Sequence, residues 1–338
     1  MIQKIESLQD TLLFIESSKN KPYSQIMKKH FILNLIFLSS LLGFAQEFNL
    51  PIGNQYIADN PFLLSASYAG IGDCWQARGT GFQQWVGVQN GPNTQSLSID
   101  GRIENRSGIG AVLFNDSNGF TTQRGAQASF AHHLTLNEYN KQYLSFGISY
   151  KYTQFEIDSS EFNRFTDIDG DISTSDHNFD VSALYRLGAF FISLNAVNLL
   201  EKRITDFSVD EPGSLTNYYA YTGFVFKNIL KEVEYEPSIL YRNFSSDTRS
   251  TMDVNFKFRK FFRDDYFWGG VSLRGLIDQE FKPVSVSPMI GIKKLNFYFA
   301  YSYQLNVNES IQLSNAGSHL LTVGIDFGCR KSNCGCTF

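Results

Sequence analysis

The chain has 338 residues, of which 43% are hydrophobic, 15% aromatic and only 18% charged, with 8 prolines and a formal charge of −4. Abundant aromatics with little charge and little proline exclude a disordered chain, and the slightly acidic balance gives no basis for nucleic-acid binding. A mean hydropathy of −0.20 excludes a bundle of apolar transmembrane helices but not a β-barrel, where half of each crossing strand is polar.

Residues 1–26, with Lys4, Glu6, Asp10, Glu16, Lys19 and Lys21, are too polar for an exported leader. Met27 is therefore read as the initiator and 1–26 as an over-extended N-terminus, the rival being a cytoplasmic preface. Lys28, Lys29 and His30 precede the apolar run from Phe31 to Leu42, and Gly43-Phe44-Ala45 offers a small-residue cleavage site before Gln46. A basic start, an apolar core too short to span a bilayer and a processing point define a signal peptide over 27–45. Residues 46–75 are broken by Pro51, Asn60-Pro61 and Tyr68-Ala69-Gly70, and read as an irregular N-terminal periplasmic or plug segment.

From 76 to 327 the chain alternates. Leu295, Phe297, Phe299, Tyr301, Tyr303, Leu305 and Val307 fall on one side of a period-two repeat, and Asn296, Tyr298, Ala300, Ser302, Gln304 and Asn306 on the other. Successive strand side chains point to opposite faces, so the segment has an aromatic wall and a polar wall. Leu144, Phe146, Ile148, Tyr150 and Tyr152 repeat the design. Strands are expected near 76–84, 95–101, 107–115, 122–136, 142–155, 178–187, 190–199, 218–227, 232–242, 252–258, 265–274, 286–292, 294–304 and 319–327. Roughly 14 strands, an even number, predict an all-β, up-and-down antiparallel transmembrane β-barrel, closed so that no sheet edge lies bare in hydrocarbon.

The connections at 156–177, 200–217, 275–285 and 305–318 are long, while those at 188–189, 228–231, 259–264 and near Lys293 are short. Outer-membrane barrels put long loops outside and short turns in the periplasm, which predicts periplasmic termini and a cell outer-membrane location. In one strand Asp253, Asn255, Lys257 and Arg259 alternate with Met252, Val254, Phe256 and Phe258. Such a charged row suits a wet lumen better than a dry sandwich core.

Asp167, Asp169 and Asp171, with Gly170 between the last two and Asp176 nearby, could wrap a calcium ion, which seeks six to eight oxygens. The spacing departs from an EF-hand, and a solvated acidic tip on an external loop is the plainer reading. The four cysteines are Cys74, Cys329, Cys334 and Cys336. If the first strand closes on the last, Cys74 and Cys329 sit at neighbouring strand ends, and a disulfide is the first reading in an oxidising compartment. An inert thiol tail over 328–338 is the second, and a metal site the last. His132 and His133 point to opposite faces and cannot share one ion. Trp75, Trp85 and Trp268 with Tyr266, Tyr298 and Tyr301 are candidates for interface girdles, with ordinary strand packing as the alternative. Thr322, Gly324 and Phe327 partly match the final-strand signal of inserted barrels. No G-x-S-x-G, H-E-x-x-H or P-loop occurs, and no carboxylate pairing argues for catalysis, so no enzyme is expected.

Several short stretches carry a resemblance. Asn60-Pro61-Phe62 with Ser67-Tyr68-Ala69-Gly70, then Gln84-Trp85, Gly91-Pro92-Asn93-Thr94-Gln95-Ser96, Gly108-Ile109-Gly110, Asn115-Asp116 and Gly119, and finally Ser302-Tyr303 and Gly317-Ser318-His319 occur in order. In this order and spacing the chain resembles the PorP/SprF family of the Bacteroidetes type IX secretion system, with Ser67 replacing the family's usual proline. The resemblance implies a barrel working with the type IX translocon and with periplasmic ring or motor components. It further implies a large secreted, adhesin-like substrate bearing a C-terminal signal, and a link to gliding motility. A passive or ligand-selective diffusion channel is the alternative function.

Overall fold

The computed structural model describes residues 50–158, 172–200, 216–228, 230, 232–246, 248–263, 265–307 and 316–329. The expected over-extended N-terminus over 1–26 and signal peptide over 27–45, Asp167, Asp169 and Asp171, most of the 200–217 connection, and Cys334 and Cys336 lie outside these residues.

The polarity of the strands sets the architecture. Phe297 and Phe299 are 66% and 47% exposed, while Tyr298, Ala300 and Ser302 are 2%, 1% and 3% exposed. Leu97, Phe146, Ile148, Phe256, Ile290 and Val323 likewise face outward, and Ser98, Ser145, Ser149, Asn255, Ser287 and Thr322 are buried. A continuous apolar outer surface around a polar interior is the reverse of a soluble sandwich, and hydrocarbon is the solvent that it fits.

The strands run β1 (Trp75–Gln83), β2 (Asn93–Glu104), β3 (Ser107–Asn118), β4 (Thr121–Asn137), β5 (Gln142–Ile157), β6 (Ile172–Leu187) and β7 (Phe190–Val197). They continue as β8 (Asn217–Phe224), β9 (Phe226–Lys227), β10 (Val233–Phe244), β11 (Ser250–Phe262), β12 (Asp265–Leu276), β13 (Lys282–Lys294), β14 (Phe297–Asn306) and β15 (Ser318–Phe327). Each pairs antiparallel with its neighbours, and β1 closes against β15 from Trp75 opposite Phe327 to Gln83 opposite His319. The two-residue β9 carries β8 past Val225 along the same partner, β10. The wall is therefore a closed barrel of 14 staves, with register shifts near its rims, where bulges are commonest. Strands β4, β5 and β6 have 17, 16 and 16 residues, more than the roughly 9–11 that a crossing needs.

The end where β1 starts and β15 stops, here the terminal end, carries the short turns between β2 and β3, β6 and β7, and β13 and β14. The opposite, loop end carries the longer connections, β7–β8 and β14–β15 among them. The main boundary error of the sequence reading is in β6, which starts at Ile172 rather than 178, so Asp176 lies in a strand opposite Thr153 and not on a loop tip. The polar run Ser173-Thr174-Ser175-Asp176 hides this strand. Its partner β5 fixes it by continuing to Ile157.

Three of the expected girdle residues also need correction. Trp268 and Tyr298 are 1% and 2% exposed and meet inside the barrel, where Trp268 Nε1 donates to Tyr298 Oη at 3.0 Å. Tyr266 shares their inward parity and donates to Asp59. Gly291 makes room for the Trp268 indole, since a Cβ there would lie 2.3 Å from its ring nitrogen.

Candidate functional site

The inward rows of the wall close on residues 50–74. Proline at 51 and 61 keeps this stretch out of regular structure, and it winds through tight turns, including 3-10 turns at Pro61–Leu63 and Ala66–Tyr68. These turns satisfy part of its backbone, with Leu64 N donating to Pro61 O at 3.0 Å and Ala69 N to Ala66 O at 2.9 Å. Tyr56, Ile57, Phe62, Leu64 and Ala69 are all buried. An irregular segment buried this deeply needs partners for its remaining polar groups, and side chains of the wall supply them.

One side of the wall is cationic. Lys257 Nζ donates to Ile57 O at 2.8 Å, Arg242 Nη1 to Ile52 O at 2.8 Å and Arg274 Nη2 to Gly53 O at 3.1 Å. Asp253, fully buried, takes a bidentate pair from Arg274 at 2.7 and 2.8 Å and accepts the Tyr56 hydroxyl at 3.2 Å. Asp59 is held by Lys257, Arg259 and the Tyr266 hydroxyl, and Glu234 holds Arg259 from behind. Burial opposes charge on Asp59, but Arg259 and Lys257 outweigh it and hold the carboxyl well below the usual carboxylate range. The row Asp253, Asn255, Lys257 and Arg259, expected to face water, thus grips residues 52–59.

The opposite side is built for close approach. A Cβ at Gly108 would lie 2.1 Å from Ala69 O, one at Gly110 2.3 Å from the Phe62 ring, and one at Gly147 2.3 Å from Ser67 N. Around this seat Asp100 accepts Gly70 N at 3.0 Å, and Arg102 donates to Gly70 O and Ile71 O at 3.0 Å each. His133, with 0% exposure, reaches Ala69 O at 3.0 Å through Nε2 and Ser145 Oγ at 2.8 Å through Nδ1. Asn60 donates to Ser98 Oγ at 2.9 Å, and Ser67 N to Ser182 Oγ at 3.0 Å.

The sequence motifs gather at two places. Asn60-Pro61-Phe62 and Ser67-Tyr68-Ala69-Gly70 form the inner segment, and Gly108 and Gly110 its seat. Gln84-Trp85 and Gly317-Ser318-His319 meet at the loop end, where Trp85 N donates to Ser318 Oγ at 3.2 Å and Val86 N to Gly317 O at 2.9 Å. Tyr303 donates to Ala316 O at 2.8 Å beside them, and Thr94 to Asp116 at 2.6 Å. The sequence offered no signal that Arg102, Arg242, Arg274 and His133 hold this segment, beyond their inward parity.

Cys74 and Cys329 form a disulfide flanking the first pair of the β1–β15 seam, Trp75 and Phe327, whose rings stack. Among the described residues no group of three or more His, Cys, Asp or Glu is placed to hold an ion, and of the expected calcium ligands only Asp176 is among them.

A closed antiparallel barrel with an apolar belt and a polar, internally packed lumen defines an integral outer-membrane β-barrel protein. Residues 45–325 match the family described as type IX secretion system membrane protein PorP/SprF, and the chain belongs to that family. Its partners are accordingly membrane-associated components of that secretion system, and neither family nor fold is enzymatic in kind. Among solved structures, the toluene transporter TbuX of Ralstonia pickettii is similar at 10% identity and a TM-score of 0.48, over 82% of this chain and 94% of its own. The monoaromatic hydrocarbon channel CymD is similar at 12% identity and a TM-score of 0.45, over 84% and 95%. Likeness at this level is one of barrel shape and says nothing of cargo. No curated protein matches the chain.

Proposed function

We propose that this protein is a non-enzymatic outer-membrane component of type IX secretion that assists export and surface anchoring of a large, adhesin-like substrate. The observation that carries the reading is the filled lumen: residues 50–74 are tied to opposite sides of the wall by buried ion pairs and backbone hydrogen bonds. A barrel occupied by its own chain is suited to docking and anchoring rather than to bulk diffusion. In this reading residues 27–45 direct export, the terminal end faces the periplasm and its ring or motor components, and the longer connections face outward to meet the substrate. In the same reading a calcium ion held by Asp167, Asp169, Asp171 and Asp176 ties the β5–β6 connection to the start of β6.

Deletion of the gene, followed by inventory of surface proteins, tests this directly. Loss of one large surface protein with other type IX cargo retained is the expected result, and an unchanged surface overturns it. The diffusion-channel reading predicts instead a steady open conductance in planar bilayers and no cargo defect.

A further inference from the structure

Between the inner segment and the wall, toward the terminal end, lies a cavity of about 350 Å³, within the range of small-ligand sites. Its position follows from its lining: Gln76 near the start of β1, Lys227 at the end of β9, Glu234 near the start of β10, Phe261 near the end of β11 and Tyr266 near the start of β12. Lys227, with its side chain 41% exposed, marks the mouth.

The lining carries four carboxylates, Asp59, Asp100, Glu234 and Glu236, and three cations, Lys227, Lys257 and Arg259, and not every carboxylate is in a salt bridge. The cations are engaged: Lys257 and Arg259 with Asp59, and Arg259 and Lys227 with Glu234. Glu236 accepts the Tyr221 hydroxyl at 3.1 Å and Asp100 accepts Gly70 N, but neither is ion-paired to a cation among the described residues. Tyr68 lines the same cavity, is 6% exposed, and its hydroxyl has no hydrogen-bond partner. Tyr56, Phe62, Tyr221 and Phe261 add ring surface.

A carboxylate outside the salt-bridge network, a lone buried hydroxyl and aromatic rings together describe a receptor for a planar organic cation, which pairs with carboxylate through a fork of N–H groups and stacks on rings. We propose that this cavity binds an arginine side chain presented by a partner protein at the terminal end, with Glu236 as its carboxylate anchor and Tyr68 as a further acceptor. A lysine ammonium would satisfy the charge but not the fork. This inference concerns the cavity's chemistry and does not rest on the secretion reading, since its test uses the purified barrel alone.

The test is calorimetric titration of the full-length barrel in detergent with N-acetyl-arginine methylamide, its citrulline counterpart and free arginine. Saturable binding of the arginine derivative is expected, with citrulline weaker by roughly tenfold or more for loss of the charge. Capped arginine should bind at least as tightly as the free amino acid, as befits a side chain on a peptide. Glu236→Gln should weaken binding by roughly tenfold and Tyr68→Phe by a few-fold, with folding of each variant checked by its heat-modifiable gel mobility. Absent saturation, equal binding of citrulline, binding of free arginine only, or full affinity in folded Glu236→Gln would each overturn the proposal. The comparison of ligands on the unmodified protein decides it even if a variant fails to fold.

Discussion

Gly108 of the wall and Ala69 of the inner segment meet so closely that a methyl group on the glycine would lie 2.1 Å from the alanine carbonyl oxygen. No rotamer relieves such an overlap, because a Cβ position is fixed by the backbone. Gly108→Val should therefore unseat residues 66–71 at a cost of about 1–3 kcal/mol while leaving the barrel closed. Limited proteolysis of the purified barrel checks this. New cleavage within 50–74 with retained heat-modifiable mobility is expected, and unchanged protection would show that the seat is not needed.

Asp59 gives the inner segment a pH dependence of known sign. Its carboxyl is depressed in the folded protein by Arg259 and Lys257, against burial, with Tyr266 donating and Glu234 competing for Arg259. A group depressed on folding stabilises above its unfolded value, near 4, and that contribution is lost as pH falls toward the folded value, at about 1.4 kcal/mol per pH unit. Denaturation between pH 7 and pH 3 should show this loss in the native chain and a flatter profile in Asp59→Asn. The variant should also be less stable at neutral pH, by about 3–5 kcal/mol if Lys257 and Arg259 are left without a counter-charge. Parallel pH profiles for the two proteins would refute the role.

The Cys74–Cys329 bond joins the residue before β1 to the segment just after β15. Reduction, or Cys74→Ser, should lower stability by about 2–5 kcal/mol, as for removal of a native disulfide. Unfolding in oxidised and reduced detergent solution measures the difference, and coincident curves would count against a structural role.

On the outer surface, Ile290 lies near the middle of β13 and is 63% exposed. An arginine there should cost roughly 2–4 kcal/mol if that face meets the bilayer centre. Insertion of Ile290→Arg into vesicles of phosphatidylcholine should fall sharply relative to the native chain. Equal insertion would mean that this face does not contact lipid.

The barrel was legible because alternation is a local property. Phe297-Tyr298-Phe299-Ala300 declares its two faces without knowledge of any partner, and 14 such segments specify a closed wall. What fills the wall was not legible. Residues 50–74 have no periodicity, and their anchors Arg102, His133, Arg242 and Arg274 are scattered over four strands that only the closed fold brings together. Trp268 and Tyr298 misled for a related reason: aromatic composition suggested membrane girdles, whereas parity turned them inward. The disulfide candidate Cys74 and Cys329 followed from closure, since joining the first strand to the last makes distant cysteines neighbours.

That covalent link has a mechanical consequence. Everything from 74 to 329 becomes one endless loop, so a protease nick in any connection at the loop end leaves the two halves attached. It also keeps the first and last staves from parting at the terminal end.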